Sequence, residues 1–167
     1  MRSTLLILLV LMASPWAQAE LIDEVNDRGE LRIAVQADSP PFSFKEHERL
    51  TGFAIELGQV LAAELDVRAE FLETPAEQVL PGVESGKYDI ALDQVNAGEQ
   101  FDGRVEVSQP YQARQDGKPS LVIPFQKGNP AFRSAVDNAL QRIKDDGRLT
   151  ALQQKWLEKK DDAPAQP

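Results

Sequence analysis

Strand-like and helix-like hydrophobic periods take turns along this chain, and that alternation narrows the folds open to it. Leu31, Ile33 and Val35 alternate with Arg32, Ala34 and Gln36, the two-residue period of a strand with one buried face. From Phe53 to Leu65 the period changes, and Phe53, Leu57, Val60 and Leu61 share one helical face. Val67–Leu72 reads as the next strand, the stretch from Thr74 to Gly86 as a short helix, and Tyr88–Asp93 as a third strand. Arg104–Val107 and Leu121–Phe125 are shorter extended runs, and two closing helices follow. Alternation of this kind predicts an α/β fold: a mostly parallel sheet with helices on both faces.

Local signals sharpen the boundaries. A short helix over residues 20–28 is ended by Gly29. The prolines of Asp38–Pro41 cannot continue a ladder, so this stretch is predicted as a turn, and Glu46–Arg49 as a polar loop. Thr74-Pro75-Ala76-Glu77 has the form of a capping box, with Thr74 as cap, Pro75 at the first helical position and Glu77 reaching back. Asn129-Pro130 is expected to cap a long helix carrying Phe132, Ala135, Val136, Ala139, Leu140 and Ile143, closed by Gly147. Leu149, Leu152 and Trp156 form the buried stripe of the last helix. Residues 111–119 lack apolar periodicity, and Asp116-Gly117 is a tight-turn signal, so a hairpin or short loop is predicted there. Residues 159–167 are charged and proline-containing and are expected to be a disordered tail.

The first nineteen residues read as an export signal. Arg2 gives a positive start, Leu5–Met12 is an unbroken apolar run, and Ala17-Gln18-Ala19 is a small-x-small cleavage site, so Glu20 is the expected mature N-terminus. The run is too short for a stable membrane anchor, and a chain with no cysteine has no lipid-attachment site. The mature protein is therefore expected to be periplasmic, without disulfides or thiolate chemistry. The formal net charge is −9 for the whole chain. That acidity argues against nucleic acid and against anionic membrane surfaces as partners.

Several segments follow one another in a familiar order. They are Glu30-Leu31-Arg32-Ile33-Ala34-Val35, Ser39-Pro40-Pro41-Phe42-Ser43-Phe44, Leu50-Thr51-Gly52-Phe53, Gly86-Lys87-Tyr88-Asp89-Ile90, Ser108-Gln109-Pro110-Tyr111 and Phe125-Gln126-Lys127-Gly128-Asn129-Pro130. In order and content they resemble the periplasmic solute-binding proteins of polar amino-acid ABC transporters, the cystine-type branch in particular. In that family a second lobe sits between the Ser-x-Pro-Tyr step and the closing helices. Here only residues 111–119 join the two. The resemblance thus implies a truncated chain: one lobe of a type II periplasmic-binding-protein fold over residues 20–158, with the second lobe missing.

The resemblance also implies where a ligand sits. In the family the first lobe holds an amino acid at the C-terminal ends of its strands, the usual ligand edge of open α/β sheets. An aromatic-lined turn holds the side chain. The segment after the third strand offers hydroxyls and an arginine to the α-carboxylate, and the second lobe supplies an acid to the amino group. The cystine-type pattern runs close to Asn-Gln-Val-Thr-Ile-Thr-Glu-Glu-Arg, and this chain reads Asp93-Gln94-Val95-Asn96-Ala97-Gly98-Glu99-Gln100-Phe101. Gln94, Val95 and Glu99 match, Asn96 is a polar replacement, and Gly98 lacks a hydroxyl. Phe101 stands at the arginine position and cannot make a bidentate pair with a carboxylate. Arg104 reaches the site if its segment is helical, and is otherwise a solvated surface arginine. Phe42 and Phe44 either meet the ligand or pack in the core. Ser39 replaces a tyrosine, and Ala54 an aspartate. The candidate ligand-binding residues are Phe42, Phe44, Gln94, Asn96 and Arg104.

Catalytic patterns are missing. The one histidine, His47, lies in a polar loop without a partner in the sequence. Asp145-Asp146 and Asp161-Asp162 read as solvated charge, not metal ligands, and there is no Gly-rich phosphate loop. A few relatives of the fold are dehydratases, but they use a closed two-lobe cleft. The expected function is a non-enzymatic, cofactor-free and metal-free binding module related to amino-acid transport, with weak or lost binding. A polar amino acid and an ABC permease are the implied partners. The alternative is a ligand-free interaction protein that uses the exposed cleft face for self-association, as a dimer, or to hold another protein.

Overall fold

The computed structural model describes residues 19–92, 94–97, 101–112 and 120–158. The predicted leader and tail, Asp93 and residues 113–119 of the junction lie outside the described residues. The elements run α1 (Leu21–Arg28), β1 (Glu30–Val35), β2 (Asp38–Ser39), β3 (Ser43–Glu46), β4 (Arg49–Thr51), α2 (Phe53–Glu64), β5 (Arg68–Glu73), α3 (Ala76–Glu84), β6 (Ile90–Ala91), β7 (Val105–Val107), β8 (Pro124–Gln126), α4 (Pro130–Asp145) and α5 (Arg148–Trp156).

The main sheet has the order β5-β1-β6-β8-β7. β1 pairs in parallel with β5 along its whole length, from Glu30 opposite Arg68 to Val35 opposite Glu73, and in parallel with β6 at Ile33–Ile90 and Ala34–Ala91. β8 runs antiparallel to both β6 and β7. Four strands thus point one way and one is reversed, the mostly parallel sheet that the alternation predicts.

The two-residue period assigns the faces. Leu31, Ile33, Val35, Ile90, Ile123 and Phe125 join the larger core with residues of α1, α2, α4 and α5. Ala34, Ala91 and Val105 face the other way, under Val79 and Val83 of α3. Helices cover both faces, but unevenly, with α3 the one helix on one side among the described residues. Two alanines leave room for Tyr88 there, and a Cβ on Gly82 would stand 2.3 Å from its ring. Helix α2 is buried almost all round, at Phe53, Ala54, Ile55, Leu57, Gly58, Leu61 and Ala62, while Val60 is half-buried. It lies between the sheet and the two last helices, so its apolar stripe is wider than an amphipathic pattern suggests.

Four local expectations need correction. The predicted turn holds at residues 40–42, but the residues around it and around the polar loop form a second sheet, β2-β3-β4, whose hairpin tip is His47-Glu48 with φ of 49° and 63°. Both residues are left-handed, the geometry of a two-residue hairpin turn, without the glycine or asparagine that normally signals it. Thr74 does not cap α3. The cap position is Pro75, no side chain bonds there, and the Thr74 hydroxyl donates to the Leu72 carbonyl at 2.9 Å. Asn129 occupies the cap position of α4 but its side chain serves another helix: Asn129 Oδ1 accepts the Leu21 N–H of α1 at 2.8 Å. Glu20 reciprocates, with Oε2 accepting the Ala131 N–H of α4 at 2.7 Å. The two helix N-termini meet and exchange caps. Finally, β6 covers Ile90–Ala91, shorter than the predicted Tyr88–Asp93.

Asp89 is fully buried and accepts from Arg28 at 2.5 Å, from the Arg32 backbone N–H at 2.7 Å and from the Arg32 guanidinium at 2.7 Å. The hydrogen bond to Asp89 holds the Arg32 guanidinium above its ordinary pKa. This cluster joins α1, β1 and the start of β6. Gly52 ties the other end. Its φ is +122°, and a Cβ would lie 2.4 Å from the Phe42 carbonyl oxygen. That closeness lets the Phe53 and Ala54 N–H groups donate to Pro41 and Phe42 at 3.0 and 2.7 Å, so the two sequence segments Pro-Pro-Phe and Thr-Gly-Phe lock together at the start of α2.

Candidate functional site

The strands β1, β5 and β6 end together at Val35, Glu73 and Ala91, and this C-terminal edge is where open α/β sheets hold ligands. A half-open cavity of about 580 Å³ lies there, lined by Gln36, Ala37, Asp38, Glu73, Thr74, Pro75, Ala76 and Glu77. Among the described residues, the carboxylates of Asp38, Glu73 and Glu77 line it. Lys45, on β3, reaches Glu73 Oε1 at 2.9 Å, and that hydrogen bond raises the Lys45 ammonium above its ordinary pKa. Behind the wall, buried Tyr88 bonds to Thr74, which together with nearby Lys87 lowers the phenol below its usual value.

The structure brings some of the predicted residues to this edge and not others. Gln94 and Asn96 are half-buried in the segment that follows β6. Backbone bonds fix that segment: Asn96 forms an antiparallel bridge with Leu121, Ala97 N–H donates to Ser120, and Val122 N–H donates to Val95. Gln94 adopts φ of 55°, a left-handed conformation that glutamine rarely takes. Phe42 packs edge-on against Phe53 with centroids 5.9 Å apart, and Phe53 stacks on Tyr111. Phe44 packs edge-on against Trp156 of α5 at 6.1 Å. Both phenylalanines are half-buried and engaged in the fold.

Arg104 lies at the opposite edge. It directly precedes β7, whose Val105 pairs with Gln126, beyond the point where Ile90 at the start of β6 pairs with Phe125. Its guanidinium is 49% exposed and lies 3.6 Å from Glu84 at the end of α3. The strand direction, not side-chain reach, separates it from Gln94 and Asn96. Phe101 is half-buried against the core under α3. The arginine position of the family pattern is thus occupied by a packing residue.

The sequence reading missed Gln36, Asp38, Lys45, Glu73 and Glu77. A usable signal was present: Gln36 directly follows β1 and Glu73 ends β5, and strand ends are the ligand edge. Lys45 was hidden because its loop was not read as a strand. No cluster of three or more histidine, aspartate or glutamate residues suited to a metal occurs among the described residues. His47 sits exposed at the hairpin tip. No helix among the described residues is long and apolar enough to cross a membrane.

A mostly parallel sheet between helices, with a cavity at its strand ends, defines one lobe of the two-lobed α/β solute-binding class. The chain belongs to the bacterial extracellular solute-binding proteins, family 3, whose family model matches residues 31–159. It is 31% identical over 124 residues to the L-cystine-binding protein TcyJ of Escherichia coli, covering 74% of this chain and 45% of that protein. It is 27% identical over 116 residues to cyclohexadienyl dehydratase of Pseudomonas aeruginosa, covering 69% of this chain and 42% of the enzyme. The chain spans about half the length of these curated relatives.

Among solved structures, the fold is similar to AncCDT-1, an ancestral amino acid-binding protein described as a precursor of cyclohexadienyl dehydratase. The TM-score is 0.77 at 23% identity, covering 84% of this chain and 100% of that one. It is also similar to a point mutant of the arginine-bound form of domain 1 from TmArgBP. Here the TM-score is 0.70 at 25% identity, covering 74% of this chain and 98% of that domain.

Proposed function

We propose that the protein is a truncated, single-lobe solute-binding domain of cystine-type amino-acid transport, holding a polar amino acid weakly on one open face. The observation that carries this reading is the likeness to domain 1 of TmArgBP, an isolated first domain described as arginine-bound. A lone lobe of this fold can therefore hold an amino acid. The backbone at the junction supports the single-lobe part. Tyr111 N–H donates to Leu121 at 3.0 Å and Leu121 N–H donates to Gln112 at 2.9 Å, so the chain leaves and re-enters the lobe at one hydrogen-bonded rung.

Binding is weak in this reading for two physical reasons. Small-molecule sites normally bury most of the ligand, and an open face buries less. Phe101 and the remote Arg104 also leave the α-carboxylate without the oriented guanidinium pair that the family pattern uses. The ligand contacts proposed are Gln94 and Asn96 from the segment after β6, with Phe42 shaping the rim through its packing on Phe53. Export through the leader at residues 1–19, release into the periplasm and delivery to an ABC permease complete the reading.

Binding ranks ahead of catalysis. The relationship to cyclohexadienyl dehydratase makes enzymatic descent a fair question, but the cavity is half-open and the one histidine stands at an exposed hairpin tip. It also ranks ahead of self-association through the cleft face. Two copies joined there would bring Asp38 and Glu77 against their equivalents, and like charges facing each other oppose pairing. The test is thermal unfolding of residues 20–167 against a panel of amino acids including L-cystine and L-arginine. A ligand at about a hundred times its dissociation constant adds roughly 2.7 kcal/mol, a rise on the order of 5–10 °C for a domain of this size. A cooperative melt unmoved by every amino acid in the panel refutes the solute-binding reading.

A further inference from the structure

The small sheet β2-β3-β4 is held to the rest of the lobe by contacts of opposite kinds on its two sides. Phe44 packs on Trp156 of α5, and its neighbour Lys45, pointing the other way along the strand, bonds to Glu73. Glu73 is the last residue of β5 and stands opposite Val35, so it closes the β1–β5 ladder at the ligand edge. Of the three carboxylates lining the cavity, Glu73 alone carries a cation; Asp38 and Glu77 have no ion-pair partner among the described residues. One of the cavity's carboxylates is thus already bonded to an ammonium group, and that group comes from the protein itself.

We infer that Glu73 is the carboxylate that receives the cationic group of a bound amino acid, and that Lys45 is its built-in competitor, displaced when the ligand arrives. This rests on the amino-acid-binding reading above. Three observations support it. The Lys45 ammonium and Glu73 carboxylate meet at 2.9 Å, so the carboxylate already accepts a charge-assisted bond from an amine. Both side chains are nearly half exposed, so the pair is weak enough for a ligand to break. Lys45 also lies on a two-sided hairpin whose other face stays anchored by Phe44 and Trp156, so its release frees a side chain without unfolding a strand. The arrangement makes the open site self-limiting, because the lysine neutralises Glu73 when no ligand is present and subtracts from affinity when one is.

The experiment is calorimetric titration of residues 20–167 with L-arginine and with L-cystine, on the unaltered protein, Lys45→Met and Glu73→Gln. Lys45→Met should tighten binding about two- to fivefold, the scale set by release of a half-exposed ion pair. Glu73→Gln should weaken it roughly tenfold or more, as the loss of a charged hydrogen bond does. Melting temperatures of both variants should stay within a few degrees of the parent. Binding by the parent that Lys45→Met leaves unchanged or weakens overturns the competitor role while leaving solute binding intact. Binding that Glu73→Gln leaves unchanged overturns the carboxylate assignment. Absence of binding to either amino acid in both the parent and Lys45→Met overturns this inference together with the reading on which it rests.

Discussion

Asp89→Ala removes the acceptor at the centre of the α1–β1–β6 cluster, and the structure sets the size of the effect. The carboxylate is fully buried, and three donors converge on it at 2.5–2.7 Å: the Arg28 and Arg32 guanidinium groups and the Arg32 backbone N–H. Truncation leaves two partly buried cations unpaired and one N–H without its partner. Breaking one side of a buried ion pair costs about 3–5 kcal/mol, a large share of the 5–15 kcal/mol that holds a typical domain. With a urea m-value of about 2 kcal/mol/M, the unfolding midpoint of residues 20–167 should fall by about 1.5–2.5 M. Asp89→Asn keeps one acceptor oxygen and should fall between parent and alanine. Asp89 lies where β6 begins, at the edge opposite the cavity, so the asparagine variant should bind any amino acid ligand with unchanged affinity. A loss under about 1 kcal/mol for Asp89→Ala would show that the arginines are satisfied by water and that the cluster is not a structural centre.

Other outcomes follow from the same contacts. Asn129→Ala should cost about 1 kcal/mol by urea unfolding, and its double-mutant cycle with Glu20→Ala should show coupling, since each residue caps the other's helix. Gly82→Ala should cost about 1–3 kcal/mol through overpacking against Tyr88, and Tyr88→Leu in the same chain should recover part of it. Glu64 is held below the ordinary carboxyl range by hydrogen bonds from Arg142 and Arg148, and Asp146 by Arg148. Their contribution is therefore complete above the unfolded carboxyl pKa of about 4 and is lost as pH falls through the lowered folded values. The melting temperature should be flat between about pH 5 and 7 on this account and decline below about pH 4, and Glu64→Gln should flatten that decline.

Much of the fold is legible in the chain because it follows from periodicity. Leu31, Ile33 and Val35 name one face of β1 and Ala34 the other, and the same two-residue logic holds wherever strands pack under helices. Phe132, Val136, Ala139, Leu140 and Ile143 name the buried face of α4. The strand-end edge that carries Gln94 and Asn96 is legible too, through the order of segments that leads past β6. Less legible are features that depend on who a side chain meets. Thr74 and Asn129 are good cap residues in good cap positions, yet Thr74 bonds to Leu72 and Tyr88, and Asn129 caps a helix more than a hundred residues earlier in the chain. The His47-Glu48 turn lacks its usual residues, so the hairpin that presents Lys45 could not be seen.

By itself, then, the sequence determined the α/β class, the faces of its strands and helices, and the family to which the chain belongs. Those properties are set by local hydrophobic period and by the order of segments, both of which are one-dimensional. Tertiary structure alone decided that Arg104 stands at the far edge, that Phe101 packs under α3, and that Lys45 answers Glu73. Strand direction and sheet order create those relations, and they bring together or hold apart residues whose spacing in the chain carries no such information.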